Sequence, residues 1–201
     1  MARLIYSTIA SLDGFFEDAK GLFFEWAQPD EEVLSFLNDR ERTVGTFLYG
    51  RRMYETMVYW ETASLDESVP PSLRDWAQIW KSAEKVVYSR TLQSISSAKT
   101  RIERSFDPEA VRRLKETTDR DLSVGGPELA GQAMKAGLVD EIRLYVAPAV
   151  VGGGKHWLPV DNRFMLELLG THQFSSGFVF LRYRPAHVEG RSSFTRFRVT
   201  A

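Results

Sequence analysis

The chain has 201 residues, of which 43% are hydrophobic, and its 26 basic and 27 acidic residues give a formal net charge of −1. That length and apolar content fit one domain with its own core, and the balanced charge excludes the broad cationic footprint of a nucleic-acid or anionic-membrane binder. The absence of cysteine excludes disulfides, zinc–thiolate centres and thiol catalysis and is compatible with a cytoplasmic location.

In chain order, residues 3–10 are rich in apolar and β-branched side chains and predict a buried strand, broken by Asp13-Gly14. A loop runs to Pro29, and Asp30 then takes the N-cap of a helix that carries Val33, Phe36 and Leu37. Residues 43–49 predict a second strand and 51–57 a short helix. A loop over 64–71 closes on Pro70-Pro71, after which Leu73, Trp76, Ala77 and Trp80 recur at helical spacing. Residues 85–89 predict a third strand, 100–103 a short fourth, and 108–118 a helix with Ala110, Val111 and Leu114 inward. A short strand over 122–124 leads into a helix punctuated by Pro127 at its first position and Gly137 at its end. Residues 140–151 predict a long apolar strand, interrupted by Gly152-Gly153-Gly154. Three more strands, 165–174, 178–183 and 194–199, are joined by turns at Ser175-Ser176-Gly177 and Glu189-Gly190. Strands alternating with helices predict one α/β domain over 1–201, with a mixed, mainly parallel sheet flanked by helices and antiparallel strands at its C-terminus. No apolar run approaches the ~20 residues of a membrane helix, and the N-terminus lacks the apolar core of a signal peptide, so neither is expected.

In open sheets of this kind ligands bind beyond the carboxyl ends of the strands. Two glycine-marked turns fall there, Gly50-Arg51-Arg52 and Gly125-Gly126-Pro127. A helix start exposes unpaired N–H groups and partial positive charge, and glycine lets a ligand approach the backbone, so each turn suits a phosphate. Two such turns suit the two ends of a phosphate-bridged dinucleotide. The amides of Gly126, Glu128 and Leu129 are the candidate donors at the second turn, because Pro127 has none. Arg51 and Arg52 add guanidinium forks that match a further phosphate. Ser89-Arg90 ends the third strand with a hydroxyl and a cation. Each motif also has a plain structural reading: a tight turn needing positive φ, two solvated arginines, a polar turn.

Asp13 and Glu32 are the candidate catalytic carboxylates. Asp13 fits a role beside a substrate amide or a water, and equally an Asp-Gly turn. Glu32 fits a helix-start charge worth ~0.3–1 kcal/mol. Lys155, after the glycine triplet, suits an anionic substrate group, and Trp26 suits a flat ring; a glycine bulge and core packing are the alternatives. Trp60 and Trp157 share the second pair of readings, while Trp76 and Trp80, four apart, fit core or interface. His156, His172 and His187 lack metal-ligand spacing, so no metal is expected. There is no Gly-x-Ser-x-Gly elbow and no Walker sequence. Arg182, Arg184, Arg196 and Arg198 alternate along two strands, as on a solvated face.

The order and spacing of these pieces resemble the dihydrofolate reductase-like family that includes the C-terminal reductase domain of bacterial riboflavin biosynthesis proteins. The resemblance runs nearly end to end, through Ser11-Leu12-Asp13-Gly14-Phe15, Leu48-Tyr49-Gly50-Arg51-Arg52-Met53-Tyr54-Glu55, Val124-Gly125-Gly126-Pro127-Glu128-Leu129, Gly137-Leu138-Val139-Asp140-Glu141-Ile142-Arg143-Leu144, Ala147-Pro148 and Gly152-Gly153-Gly154. It implies NADPH extended across the strand ends and hydride transfer to a small heterocycle of pterin or aminopyrimidine type. It places Gly50, Arg51 and Arg52 near the adenosine 2′-phosphate and Ser89 and Arg90 beside the adenosine. Gly125, Gly126, Glu128 and Leu129 come to the pyrophosphate, and the Asp13 loop to the nicotinamide and substrate. It implies a homodimer as well. Three departures stand out: Met53 occupies a place where the family often has threonine, Glu32 with Phe36 reproduces a carboxylate spacing of true dihydrofolate reductases in different surroundings, and a long C-terminal hairpin runs through His187-Val188-Glu189-Gly190-Arg191. A dimeric nucleotide-binding protein with little turnover is the alternative that the same motifs allow.

Overall fold

The computed structural model describes residues 1–23, 25–63, 65–159, 161 and 163–186. Its elements are β1 (Leu4–Ser11), β2 (Phe15–Asp18), α1 (Glu31–Glu41), β3 (Val44–Gly50), α2 (Arg51–Met57), α3 (Tyr59–Thr62), α4 (Pro71–Ser82), β4 (Glu84–Tyr88), β5 (Thr100–Glu103), α5 (Pro108–Thr117), β6 (Asp121–Gly125), α6 (Pro127–Lys135), β7 (Glu141–Ala147), β8 (Gly154–His156), β9 (Met165–Gln173) and β10 (Val179–Ala186). The expected strand over 194–199, its turn at Glu189-Gly190, and His187, Arg196 and Arg198 lie outside the described residues.

Local chemistry explains where the elements start and stop. Asp30 caps α1 by accepting from the Val33 amide at 2.9 Å. In α6, Pro127 takes the first turn, and past the end Leu138 N donates to Ala133 O and Gly137 N to Met134 O, closing the last carbonyls. β7 is shorter than the expected run over 140–151, because Pro148 has no N–H to continue the ladder. β2 and β8 arise in stretches expected to be loops, and pair only with each other.

The large sheet has the order β5-β4-β3-β6-β1-β7-β10-β9. β5, β4, β3, β6, β1 and β7 run parallel, and β10 is antiparallel to both β7 and β9. Under α5 and α6 lies one continuous core of Leu4, Tyr6, Leu48, Val86, Leu122, Val124 and Ile142 against Val111, Ala130 and Ala133. The opposite face carries two separate apolar clusters. Phe47, Tyr49 and Val87 pack with Ile79 and Trp80 of α4, while Tyr145, Ala147 and Phe180 pack with Val33 and Phe36 of α1.

A buried ionic strip lies on that face. Arg143 donates to Glu141 at 2.7 Å, approaches Glu41 at 3.5 Å, and donates to the Arg40 carbonyl at 2.8 Å. Arg3 binds Glu141 at 2.9 Å and Asp121 at 2.5 Å. Burial raises the Glu41 pKa, against the pull of Arg143 and of the Ser7 and Ser123 hydroxyls. Removing Arg143 leaves the buried Glu41 without its cation, while Glu141 keeps Arg3, so Arg143→Ala is expected to lower stability in urea unfolding by about 3–5 kcal/mol. Glu41→Gln removes a charge that burial already opposes and is expected to cost under about 1 kcal/mol. Equal losses in the two variants contradict this assignment.

Candidate functional site

Because six strands run parallel, their carboxyl ends share one edge of the sheet, and that edge is stepped. Tyr6 of β1 is level with Val124 of β6, so β6 stops at Gly125 while β1 continues to Ser11, paired there with Ala147 of β7. The overhang is about 13 Å at ~3.3 Å per residue. Chain direction changes sharply at the low step. A Cβ on Gly125 would lie 2.6 Å from the Tyr49 ring, and Gly126 has φ +92°, a conformation that favours glycine. Met53 packs beneath this pair, its Cγ 3.4 Å from the Gly125 Cβ position.

Beside the low step is a cleft of about 550 Å³ lined by Gly50, Arg51, Tyr88, Ser89, Arg90, Arg104, Ser105, Phe106 and the α6 residues Glu128, Leu129 and Gln132. Six of the expected cofactor residues meet in it: Gly50, Arg51, Ser89, Arg90, Glu128 and Leu129. Gly125 and Gly126 form the adjoining turn, and Arg52 is exposed on α2 outside the lining. A Cβ on Gly50 would enter open space. Ser89 Oγ accepts from the amides of Thr91 and Leu92 at 3.2 and 2.9 Å, which shapes the turn after β4. Sequence reasoning missed Arg104 and Phe106. The signal was present, since both follow β5 and strand ends were already the criterion.

At the high step Asp13 is a staple. Its carboxylate accepts from Ser11 Oγ at 2.7 Å, Gly152 N at 2.8 Å and Val151 N at 3.2 Å. The Ser11 hydrogen bond, opposed by some desolvation and reinforced by the two amides, holds this carboxyl below the usual aspartate range. Such a group keeps no proton to donate at neutral pH; the geometry makes it an acceptor that fixes the glycine loop. Glu32 lies at the same edge, where Oε2 accepts from Ser175 Oγ at 2.6 Å and Ser175 N at 3.3 Å. Trp26 is half-buried against the α1 cluster, its Nε1 donating to Leu22 O at 3.0 Å. Lys155, on the β2–β8 ribbon, sits 3.5 Å from both Glu17 and Glu128 and so links the ribbon to the start of α6. Trp157 stacks on Tyr6 at 6.0 Å, Trp80 is fully buried, and Trp60 and Trp76 pack on the α4 cluster. Arg184 pairs with Glu167 at 2.6 Å. Among the described residues no group of three or more His, Asp or Glu is placed to hold a metal, and no helix is long and apolar enough to cross a membrane.

A mainly parallel mixed sheet, with a cationic cleft and a glycine turn at the carboxyl edge of its parallel strands, defines an α/β domain whose cleft lies where open sheets of this kind bind ligands. The family model described as the RibD C-terminal domain matches residues 2–180, and the chain belongs to that family. It is similar to the uncharacterized protein YyaP of Bacillus subtilis (strain 168), 32% identical over 185 residues that cover 90% of this chain and 94% of that one. Two solved structures share the fold. A pyrimidine reductase-like protein of Corynebacterium diphtheriae has a TM-score of 0.63 at 15% identity, over 92% of each chain. The diaminohydroxyphosphoribosylaminopyrimidine deaminase/5-amino-6-(5-phosphoribosylamino)uracil reductase of Thermotoga maritima has a TM-score of 0.64 at 14% identity, over 92% of this chain and 57% of that one.

Asp13→Asn replaces an acceptor with a group that presents N–H toward N–H. Amide exchange of Val151 and Gly152, followed by NMR, is expected to accelerate in this variant while β3 and β6 stay protected. Because the folded pKa is depressed, the staple is complete above the ordinary aspartate value near ~3.9 and is lost only as pH falls through the lower folded value. Loss of protection in the parent protein already between about pH 5 and 6, well above that value, would sink the assignment.

Proposed function

We propose that this chain is an NADPH-dependent reductase of a small nitrogen heterocycle, of aminopyrimidine or pterin type. The observation that carries the reading is the charge of the cleft. Arg51, Arg90 and Arg104 line it against the single carboxylate of Glu128, in a chain whose net charge is −1. A phosphomonoester carries about −1.5 to −2 at pH 7 and needs such a surplus. The volume lies within the ~300–1,000 Å³ of small-molecule sites, and Gly50 leaves the backbone open to a ligand.

In this reading Arg51, Arg52 and Arg90 hold the adenosine end with Ser89, and the amides of Gly126, Glu128 and Leu129 face the pyrophosphate beside Gly125. When bound, the nicotinamide supplies a hydride. Asp13 positions the loop over the high step, and the proton that accompanies the hydride comes from water. Trp26 and Lys155 are the substrate-side residues, with Glu32 at the same edge. Membership of the RibD C-terminal family supports a reductase, and the activity named for the Thermotoga maritima protein supports an aminopyrimidine. A cytoplasmic setting fits a biosynthetic enzyme of this class. The engagement of Asp13 with backbone amides favours one second reading, a nucleotide-binding protein with little turnover.

A homodimer is also proposed. Among the described residues β9 is one of the two edges of the large sheet, opposite β5, and it exposes Met165, Leu166 and Leu168. Such an edge invites a second copy. Light scattering after size exclusion is expected to give a dimer for the parent and a monomer for Leu168→Asp; a monomeric parent contradicts it.

Thermal unfolding with NADPH, NADH or neither tests the cofactor. NADPH at a hundred times its dissociation constant is expected to stabilise by ~2.7 kcal/mol, NADH by less, with most of the NADPH effect gone in Arg51→Ala. Loss of absorbance at 340 nm on adding 5-amino-6-(5-phosphoribosylamino)uracil then separates the two readings. Binding without oxidation favours the non-catalytic one, and no shift with either dinucleotide ends both.

A further inference from the structure

The amino ends of the parallel strands form the other edge of the sheet, and a second, smaller cleft lies there. Its volume is about 270 Å³, and its lining of Arg42, Gln78, Ile79, Ser82 and Arg120 holds two cations and no carboxylate. Arg42 closes α1 just before β3, Ser82 ends α4 just before β4, and Arg120 directly precedes β6. Val44 pairs with Asp121, which brings the starts of β3 and β6 level. Gly45 and Gly50 stand near opposite ends of β3, about 17 Å apart at ~3.3 Å per residue, so this cleft is separate from the one at the carboxyl edge.

Arg120 is seated there. Its aliphatic stem crosses Gly45, where an added Cβ would lie 2.7 Å from Arg120 Cβ and 3.3 Å from its Cδ. Gly45 is not one of the glycines at positive φ, so what it contributes is the space that the stem fills. At the tip, Nη2 donates to the Arg42 carbonyl at 2.6 Å. Among the described residues the other N–H groups of this guanidinium have no protein partner, and no carboxylate lies within ion-pair distance of it. Asp121, its neighbour in sequence, is taken by Arg3. Arg42 is matched instead, with Nη2 2.7 Å from Asp75 and Nε 3.5 Å from Asp39, which leaves Nη1. A second unmatched cation stands alongside. Lys99 donates from Nζ to the Ser82 carbonyl at 2.9 Å, and with φ +51° it is the one non-glycine residue at positive φ among the described residues.

The Arg42 and Ser82 carbonyls end α1 and α4, and a cation is favourable at a helix C-terminus. Capping uses one N–H of Arg120 and one of Lys99. It leaves the rest of the Arg120 guanidinium, with Arg42 Nη1, on a hollow that holds no anion of the protein's own. Two unmatched cations balance the charge of about −1.5 to −2 that a phosphate monoester carries at pH 7, and a guanidinium fork matches its oxygens. An arginine already held by its stem and one corner loses less rotamer freedom on binding than a fully solvated one.

We propose that the amino-edge cleft binds a small phosphate dianion, free or as the monoester of a small molecule. Arg120 supplies the fork, Arg42 Nη1 and the exposed Gln78 amide supply further donors, and Lys99 adds charge beside them. The inference rests on neither the cofactor nor the reductase reading.

Amide NMR titration of the parent with inorganic phosphate, glycerol 3-phosphate and, at matched ionic strength, sodium chloride tests the site. Saturating shifts are expected at Gly45 and Arg120 with both phosphates and not with chloride. Arg120→Gln is expected to weaken phosphate by about tenfold or more. Gln78→Glu puts a carboxylate in the hollow at an exposed position and is expected to abolish saturation. Tighter binding of glycerol 3-phosphate identifies an ester as the ligand and equal binding identifies free phosphate; both support the site. Shifts confined to Ser89, Arg90 and Gly126 place the anion in the carboxyl-edge cleft and overturn the proposal, as does a response that chloride reproduces. Parental affinity in both variants overturns it too. If Arg120→Gln melts below the assay temperature, Gln78→Glu decides alone.

Discussion

The contact between Gly125 and the ring of Tyr49 sets the height at which the middle of the sheet ends. No side chain fits between them, since a Cβ at 125 would sit 2.6 Å from the ring. The chain must therefore leave the sheet as bare backbone, and Gly126 at positive φ turns it directly into α6. β1 and β7 face no such constraint and run on. The step between the two heights separates a low, cationic cleft from a high wall carrying Asp13. An extended ligand laid along the edge would meet both.

The ionic strip on the opposite face fixes the helix that flanks the high wall. α1 could slide over an unbroken apolar surface with little penalty, since apolar packing is non-directional. Arg143 removes that freedom by binding the Arg40 carbonyl and the Glu41 carboxylate near the end of α1. The other end of α1 is then placed as well, and Glu32 reaches Ser175 in the hairpin before β10. A buried ion pair is weak evidence for stability. Here its consequence is register, which puts Trp26 and Glu32 beside the carboxyl ends of β1 and β7.

Much of the fold was legible because its punctuation is local. Asp30, Pro127 and Gly137 mark helix ends by chemistry that needs no distant partner, and Gly50, Ser89 and Gly125 close strands that are apolar enough to stand out. What was missed depends on long-range pairing. β2 and β8 are four and three residues long and meet across most of the chain, Asp18 pairing with Gly154. Arg143 sits within an apolar strand and is tolerable there because Glu141 two residues away and the end of a helix about a hundred residues earlier, through the Arg40 carbonyl and Glu41, surround it. Arg104 follows a strand end that the sequence shows, but β5 is short and half-exposed, and only the parallel pairing of Tyr88 with Glu103 brings it beside β4 and the cleft.

The two ends of the edge also differ in charge, and that difference gives the site a direction. Arg51, Arg90 and Arg104 surround the low cleft, whereas Asp13, Glu17 and Glu32 stand around the high wall, with Lys155 between Glu17 and Glu128. A ligand with phosphate at one end and an uncharged ring at the other is favoured in only one orientation by such a field. For the dinucleotide proposed above, the phosphorylated adenosine goes to the guanidinium groups and the ring goes to the wall. In that reading the cofactor's phosphate contacts lie at the end where no bond changes, and binding energy gained there is available to orient the reacting ring. Lys155, between Glu17 and Glu128, joins the two ends of that edge by tying the β2–β8 ribbon to the start of α6.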